Sequence, residues 1–377
     1  MFLVVMMVCP VFSVEIVMIG SISHDFKYPI SSVASGDSTF VLDMKEKYVY
    51  RFSADGKLEM KFGGDDHFML PVDIETDGFS GIYVLDSHQN CVKKFDFNGI
   101  YMGISAQKLH HPSDISRDEQ GRFHIADYGN KKIKVYDDRF QLTEIIHCTD
   151  ENGNEFSPTA VACSSNRVYV SSWQNSRIYV YNMKGVYIES FGSDEISEKN
   201  SFYKVEGIAF DGSGRRYILD WGNSALKIFS EQHEFITEKG GYGEGDFRFK
   251  YPTDLKIRSN KMYITDALNS IVKIYSIRAK EPPSISIRKI DVPVFPVMDI
   301  YLEHNISSFD AGSVEVYING KQLEIKERDS RNRRIRVDFP EELLEREVDF
   351  YGFYHYNKSL KVRFEKKIRL EKTSDEK

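Results

Sequence analysis

The sequence has few cysteines and no long apolar helical stretch, and both shortages exclude common protein classes. Only four cysteines occur among 377 residues, and Cys91, Cys148 and Cys163 are spaced as neither a disulfide framework nor a C-x-x-C metal pattern. We therefore expect buried free thiols. Apolar residues do not recur with a 3.6-residue period over any long stretch, which excludes a helical domain. The 22 Tyr and 26 Phe favour an all-β chain.

A short apolar segment opens the chain and turns polar at Glu15. It is too short to cross a bilayer as a helix, but it matches the apolar core of a secretory signal peptide over residues 1–13. A positively charged start is missing, and a buried β-strand is the alternative interpretation. The pattern predicts an extracytoplasmic protein (periplasmic, cell-surface or secreted), with no transmembrane segment in the mature chain.

A segment that recurs six times is the strongest pattern in the chain. Each copy has an apolar pair, then one defined position, then an aromatic residue nine positions later; the defined position holds Asp43, Asp86, Asp127, Ser172, Asp220 and Asp266. A landmark residue lies 14 or 15 positions upstream in each copy, at Pro29, Pro71, Pro112, Pro158, Val205 and Pro252. Successive landmarks are 41 to 47 residues apart, the length of a four-stranded propeller blade.

Each copy reads as four short strands separated by turns. Such a sheet is apolar on both faces, so it buries its surface only when copies stack radially. The sixth copy ends at Arg278 without its fourth strand, and Val14–Gly20 resembles the fourth strands of other copies. We therefore predict a six-bladed β-propeller over residues 14–278, closed by pairing of Val14–Gly20 with blade six.

The copies resemble the NHL repeat, with its Pro, its Gly-containing turn, its Val-x-Asp followed by Asn, and its Val-Lys-x-Phe strand. The second copy carries this pattern most fully, from Pro71 through Asp86 to Phe95. The first and fourth copies depart from it, with Lys47 near the Asn position and Ser172 in place of Asp. The resemblance implies the propeller fold, which binding proteins share with several lyases and lactonases that use a metal or a His with acidic partners.

The repeat stops at Pro282–Pro283, and short alternating strands follow. The hairpin of Val314–Ile318 and Lys321–Ile325 has a strong turn signal at Asn319–Gly320, and a second turn is predicted at Asn357–Lys358. Six or seven strands predict a small β-sandwich of the immunoglobulin-like kind, although no cysteine or tryptophan marks it. The predicted linker, sandwich and tail span residues 279–283, 284–372 and 373–377.

The charge distribution argues against nucleic acid as a partner. Residues 280–377 carry 19 basic and 19 acidic side chains, so the net charge of −7 belongs to the propeller side. An acidic module without a basic cluster is poorly suited to a phosphate backbone.

Three large aromatic residues share one repeat position. In a propeller, the loop before the innermost strand and the loop after the second strand emerge on the same face, which we call the upper face. The position directly after the repeat Asp lies there and holds Met44, Ser87, Tyr128, Trp173, Trp221 and Ala267. A strip formed by Tyr128, Trp173 and Trp221 suits a protein, peptide or glycan ligand. The alternative is that these rings pack between the blades.

Acidic residues near the channel mouth form a second group of candidates. Asp73, Asp114 and Asp254 lie two residues after their landmarks, and Glu206 lies one residue after its own. They could hold Ca²⁺, or they could bind backbone amides of the adjacent blade. His110 and His111 lie on an upper-face loop, and with these acids they predict a rival function, a metal-assisted hydrolase or lyase. The favoured function is an exported binding scaffold that needs no cofactor.

Overall fold

The computed structural model describes residues 14–106, 108–193, 199–279, 285–294, 297–304, 311–338, 340, 347–355 and 361–368. The predicted signal peptide, the turn at Asn357–Lys358, the tail and most of the linker lie outside these residues. The chain divides into two compact units, one of which is Val14–Arg278 while the other includes the chain from Ala279 onward. Among the described residues, no helix is long and apolar enough to span a membrane.

The first unit contains six four-stranded sheets, one for each repeat. The first strand of the chain, β1, spans Val14–Ser23. Blade one consists of β2 to β5, at Pro29–Ser35, Ser38–Asp43, Tyr48–Phe52 and Leu58–Gly63. Blade two consists of β6 to β9, at Pro71–Thr76, Gly81–Asp86, Cys91–Asp96 and Tyr101–Ala106. Blade three consists of β10 to β13, at Asp114–Arg117, Phe123–Asp127, Lys132–Tyr136 and Leu142–His147.

The remaining blades follow the same pattern. Blade four consists of β14 to β17, at Val161–Ser164, Arg167–Ser171, Arg177–Asn182 and Tyr187–Gly192. Blade five consists of β18 to β21, at Val205–Phe210, Arg216–Asp220, Ala225–Phe229 and Phe235–Gly240. Blade six contains β22 to β24, at Pro252–Arg258, Lys261–Asp266 and Ile271–Ala279. Single 3-10 turns follow the second strand in blades three, five and six, at Tyr128–Asn130, Trp221–Asn223 and Ala267–Asn269.

The blades form a closed ring. The innermost strands of successive blades contact each other in turn, from β2 through β6, β10, β14, β18 and β22 back to β2. The fourth strand of blade six is β1, which pairs with β24. The all-β fold, the six-bladed propeller and its closure by the N-terminal strand are therefore confirmed.

Burial follows the radial position of each strand. The second strand of blade two, β7, is buried at all six positions because neighbouring blades cover both faces of its sheet. One core cluster joins Val33 and Phe40 of blade one to Ile74 and Phe95 of blade two. The thiols of Cys91 and Cys148 are buried, Cys163 is half-buried, and all three are free, as expected.

The second unit is a β-sandwich whose sheets share one core. One sheet has the order β25-β26-β30-β29, at Ile285–Val294, Val297–His304, Arg334–Asp338 and Ile325–Asp329. The other has the order β28-β27-β31-β32, at Lys321–Gln322, Val314–Ile318, Val348–His355 and Lys361–Ile368. A 3-10 turn at Ala311–Ser313 precedes β27. The described part of this second unit contains eight strands, whereas six or seven were predicted.

The predicted hairpin is present, but its second strand is shorter than expected. Asn319 and Gly320 have φ of 44° and 84°, the left-handed values that a tight two-residue hairpin turn requires. The prediction of a strand over Lys321–Ile325 was wrong, because β28 ends after two residues. Leu323 is buried in the core that the two sheets share, and Ile325 pairs with Val337 in the opposite sheet. The chain therefore changes sheets at Leu323.

Candidate functional site

The repeat Asp residues tie together the two loops that form the upper face of each blade. In blade two, one oxygen of Asp86 accepts hydrogen bonds from the amides of His88 and Gln89, at 3.1 and 2.8 Å. The other accepts from the amide of Met69 in the landmark loop, at 2.8 Å. The same residue of blades one, three, five and six also binds amides of its landmark loop. The repeat Asp therefore has a structural role, and it positions the side chains of both loops.

Four aromatic side chains from consecutive blades form a continuous row on the upper face. The rings of Trp173 and Trp221 are stacked with centroids 6.3 Å apart. Trp221 meets Tyr251 edge-on at 4.7 Å, and Tyr251 lies 6.0 Å from Tyr28. We call these four residues the aromatic wall. Trp173 remains 45% exposed, so its indole is not a wedge buried between blades.

A lysine ammonium lies against the aromatic wall. The Nζ atom of Lys204 is 4.7 Å from the ring centroid of Trp221 and 5.4 Å from that of Trp173. A cation over the face of an indole is held by the ring quadrupole, typically by about 0.5–1 kcal/mol at an exposed site. Lys204 therefore helps to fix the orientation of both indoles.

The aromatic wall borders a cavity of about 380 Å³ at the upper mouth of the channel. Trp173, Tyr251 and Tyr28 line it directly, and Trp221 supports two of them from behind. Tyr128 of blade three also lines it and is 37% exposed. Hydroxyl side chains also line the cavity, from Ser31, Ser87, Ser113, Thr159 and Thr253. This volume lies within the range of about 300–1,000 Å³ that is usual for small-molecule sites.

The predicted channel-mouth acids link one blade to the next. A carboxylate oxygen of each of the three aspartates accepts a hydrogen bond from a backbone amide of the following blade, with Asp73 bound to Ile115 at 2.8 Å, Asp114 to Val161 at 2.6 Å and Asp254 to Ser32 at 2.9 Å. Blade one has Ser31 at the same repeat position. Its hydroxyl lies 2.6 Å from Asp73 and 2.9 Å from Asp254. These contacts form a belt along the channel wall from blade six through blades one, two and three to blade four.

A buried lysine supplies a positive charge to this belt. The Nζ atom of Lys256 lies 3.4 Å from a carboxylate oxygen of Asp73 and 3.9 Å from one of Asp254. It also donates to the carbonyl oxygen of Ile115 at 3.2 Å. Lys256 therefore takes the place that a bound cation would have among these acids.

The protonation of the belt follows from this charge balance. Burial opposes ionisation of Asp73, but the Lys256 ammonium together with the hydrogen bonds that Asp73 accepts outweighs this effect, so the pKa of Asp73 is lowered. Burial and the neighbouring Asp73 raise the pKa of Asp114 well above its usual range. Burial raises the pKa of Asp254 to about 6 and that of Glu206 to about 8. At neutral pH, Glu206 is therefore mostly an uncharged carboxyl group that can donate a hydrogen bond.

These residues do not form a convincing metal site. No group of three or more His, Cys, Asp or Glu in the described part of the chain is arranged to hold a metal ion. The oxygens of Asp73 and Asp254 already accept hydrogen bonds from amides, from Ser31 and from the Lys256 ammonium. Of the two roles left open by the sequence, backbone binding is present at Asp73, Asp114 and Asp254, and a Ca²⁺ site stays a prediction.

The two candidate histidines lie together but are not equivalent. The rings of His110 and His111 are 4.8 Å apart, and His111 lines the cavity while His110 does not. The backbone amide of His110 donates to Asp127 at 2.7 Å, which belongs to the loop-tying pattern of the repeat. The structure therefore brings His111, but not His110, to the cavity that the acids and aromatics share.

Several residues of the site were missed by sequence reasoning, and a repeat position identifies them. The missed residues Tyr28, Lys204 and Tyr251 all directly precede their landmark residues, as does the predicted His111. The repeat Asp holds the residue before the landmark on the upper face. The identity of that residue varies from blade to blade, so it indicates a ligand site in the same way as the residue after the repeat Asp. Comparing both positions across the six blades would have found the whole aromatic wall.

Comparisons with known proteins agree with the fold. A structural genomics protein of unknown function from Bacteroides thetaiotaomicron matches with a TM-score of 0.54 and 16% identity, over 71% of this chain and 76% of that one. A catalytically inactive virginiamycin B lyase from Staphylococcus aureus, solved with quinupristin, matches with a TM-score of 0.50 and 12% identity, over 77% and 97%. No protein-family model and no curated protein matches the sequence. At these identities the likeness shows a propeller fold alone.

Proposed function

We propose that this protein is a binding scaffold whose upper-face cavity takes a neutral glycan. The observation that carries the proposal is the aromatic wall, a row of four rings from four blades beside a cavity of about 380 Å³. Sugar rings present flat C–H faces that pack on exposed aromatic faces such as that of Trp173. The hydroxyl-rich lining supplies both donors and acceptors for sugar hydroxyls.

The charge of the cavity favours a neutral ligand over a charged peptide. Lys256 and Lys204 contribute positive charge, while Asp73 is ionised and Asp254 is mostly ionised at pH 7. Glu206 contributes little charge because burial raises its pKa to about 8, and burial together with the neighbouring Asp73 also raises the pKa of Asp114. The charges therefore nearly cancel, and a ligand with a net charge would gain little from this site.

The rival function, a metal-assisted hydrolase or lyase at the channel mouth, has less support. Its acids are already bound to backbone amides, and Lys256 supplies the cation that they need. We therefore propose that ligand binding requires no cofactor and, in particular, no Ca²⁺.

The wider setting of this function is also a proposal. The Pro-to-Asp spacing and the Val-Lys-x-Phe strand of the second copy support assignment of the blades to the NHL type. The shared core of two four-stranded sheets supports an immunoglobulin-like class for the sandwich, which would act as a spacer or second contact. The apolar segment of residues 1–13 supports export.

A glycan array followed by calorimetry on the selected sugar tests the proposal. Changing Trp173 to Ala should weaken binding by about 2 kcal/mol, or roughly thirtyfold, because an exposed indole at the centre of the contact is lost. Thermal stability should change little, since the ring is only partly buried.

The matched control is Phe79→Ala, which removes a ring that is 84% exposed in a turn of blade two, outside the cavity. Its sugar affinity should equal that of the parent. Equal affinities for Trp173→Ala and the parent, or an array that returns only charged peptides, would contradict a glycan site on the aromatic wall.

A further inference from the structure

The opposite end of the channel carries an unassigned cavity of about 330 Å³. It lies where the innermost strands end, on the face that we call the lower face. The ends of β2, β10 and β22 contribute Ser35, Arg117 and Arg258 to its lining, and the start of β23 contributes Lys261. Arg117 and Arg258 also line the channel above it. The cavity therefore lies at the lower opening of the propeller.

The repeat explains why this part of the lower face differs from the rest. In blades two, three and five, the sixth residue after the landmark is an Asp whose carboxylate binds amides of the adjoining turn, at Asp77, Asp118 and Asp211. Blades one and six, which are neighbours in the ring, have two-residue turns, and the same position holds Ser35 and Arg258; blade four has a similar turn with Ser164. Blades one and six thus replace a structural carboxylate with a hydroxyl and a guanidinium.

The lining is positively charged. Arg117, Arg258 and Lys261 contribute three cationic groups. The guanidinium of Arg258 binds the buried carboxylate of Glu75 through one nitrogen, at 2.8 Å, and its side chain remains 41% exposed. The single carboxylate of the lining, Asp118, is engaged by Arg122 at 2.8 Å and His124 at 2.9 Å. A negative group entering the cavity would meet an excess of positive charge.

A buried hydroxyl gives a second, independent indication of a ligand. Ser35 is 8% exposed, and its Oγ atom has no hydrogen-bond partner in the described structure. A buried polar atom without a partner costs free energy, so such atoms are uncommon unless something else binds them. Ser35 lines the same cavity as the three cations.

We propose that this lower-face cavity binds a small oxyanion, a carboxylate or a phosphate group. The guanidinium groups of Arg117 and Arg258 offer planar pairs of N–H donors that match either group. The Lys261 ammonium adds charge, and the Ser35 hydroxyl donates the remaining hydrogen bond. This site is separate from the upper-face cavity, so the proposal does not depend on glycan binding.

Titration of the full chain with inorganic phosphate and with succinate, at constant ionic strength, tests the site. We expect saturable binding of at least one anion at about millimolar concentration, measured by calorimetry. Arg117→Gln and Lys261→Gln should each weaken it about tenfold, because each removes a charge-assisted hydrogen bond. Ser35→Ala should weaken it by a smaller factor. Arg258 is left unchanged, because its removal would leave the buried carboxylate of Glu75 without its ion-pair partner.

The matched control is Arg139→Gln, which removes one positive charge from an exposed turn of blade three that is not part of the cavity lining. It should bind the anion as the parent does, and so should Trp173→Ala. Binding of phosphate alone or succinate alone would identify which oxyanion the site prefers. No saturable binding of either anion, or the same affinity for Arg117→Gln and the parent, would overturn the proposal.

Discussion

Glu206 and Lys256 are the side chains that most affect the charge beneath the aromatic wall. Lys256 lies in an innermost strand, where one side of the strand faces the channel rather than solvent or another sheet. A lysine in an alternating strand normally indicates a solvent-facing position, so its burial among three acids could not be read from the pattern. The acids themselves could be predicted, because they recur at one repeat position.

The raised pKa of Glu206 makes stability depend on pH. The unfolded chain loses this proton near pH 4.5, whereas the folded chain keeps it until about pH 8. The folded state therefore binds the proton more tightly, and its stability falls as pH rises between these values. Glu206→Gln cannot ionise, so its free energy of unfolding should rise relative to that of the parent, by at most about 1.4 kcal/mol per pH unit.

Urea unfolding of both proteins from pH 5 to pH 9 measures this difference. The control is Glu234→Gln, at an exposed turn of the same blade, for which the difference from the parent should stay constant with pH. A constant difference for Glu206→Gln as well would mean that Glu206 is ionised in the folded protein at neutral pH.

At the scale of single elements, the sequence predicts regular strands well and their interruptions poorly. The six-fold repeat located the blade strands, and resemblance to the fourth strands of other copies located the Val14–Gly20 pairing segment. Apolar alternation failed at Lys321–Ile325, where the alternation continues although the chain crosses between sheets at Leu323. Alternation reports which side chains are buried, but it does not report which sheet buries them.

Replacing a repeat Asp should affect both stability and ligand binding. Asp220 accepts hydrogen bonds from the amides of Tyr203 and Lys204, both at 3.1 Å, and so holds Lys204 beside Trp221. Asp220→Ala leaves buried donors without a partner, so the free energy of unfolding should fall by about 2 kcal/mol or more. Affinity for the glycan should fall as well, because the loops that carry Lys204 and Trp221 are no longer tied.

Asp77→Ala is the control for this prediction, since Asp77 accepts hydrogen bonds from three amides in a lower-face turn. It should lower the denaturation midpoint yet leave sugar affinity unchanged. If the two variants bind the sugar equally well, the repeat Asp stabilises the blade without positioning the aromatic wall.

At the scale of the whole molecule, the closure of the ring joins the two ends of the propeller chain. Ile16 of β1 is buried in a core cluster with Leu255 and Tyr275 of blade six. Removing Val14–Gly20 should expose this cluster and leave β24 with an unpaired edge. We expect a loss of about 3 kcal/mol or more and a melting temperature lower by roughly 5 °C or more.

Differential scanning calorimetry of the truncated chain measures this effect. The double variant Val17→Thr and Ile19→Thr is a suitable control, because it changes only exposed side chains of β1 and keeps its backbone pairing. It should melt close to the parent. A synthetic peptide of residues 14–23 should restore part of the lost stability in the truncated chain, and an unchanged melting temperature after truncation would show that β1 does not close the ring.

The pairing of β1 with β24 also has a consequence during protein synthesis. The ribosome makes β1 first, but its partner emerges only after the other five blades are complete, because β24 begins at Ile271. Throughout elongation, β1 has no partner strand, and the blades already made cannot yet form a closed ring. Such long-range pairing slows folding and prolongs the time during which strand edges can aggregate. A chain released before Ala279 would lack part of the strand that receives β1, so quality-control proteases should remove such fragments faster than the full-length protein.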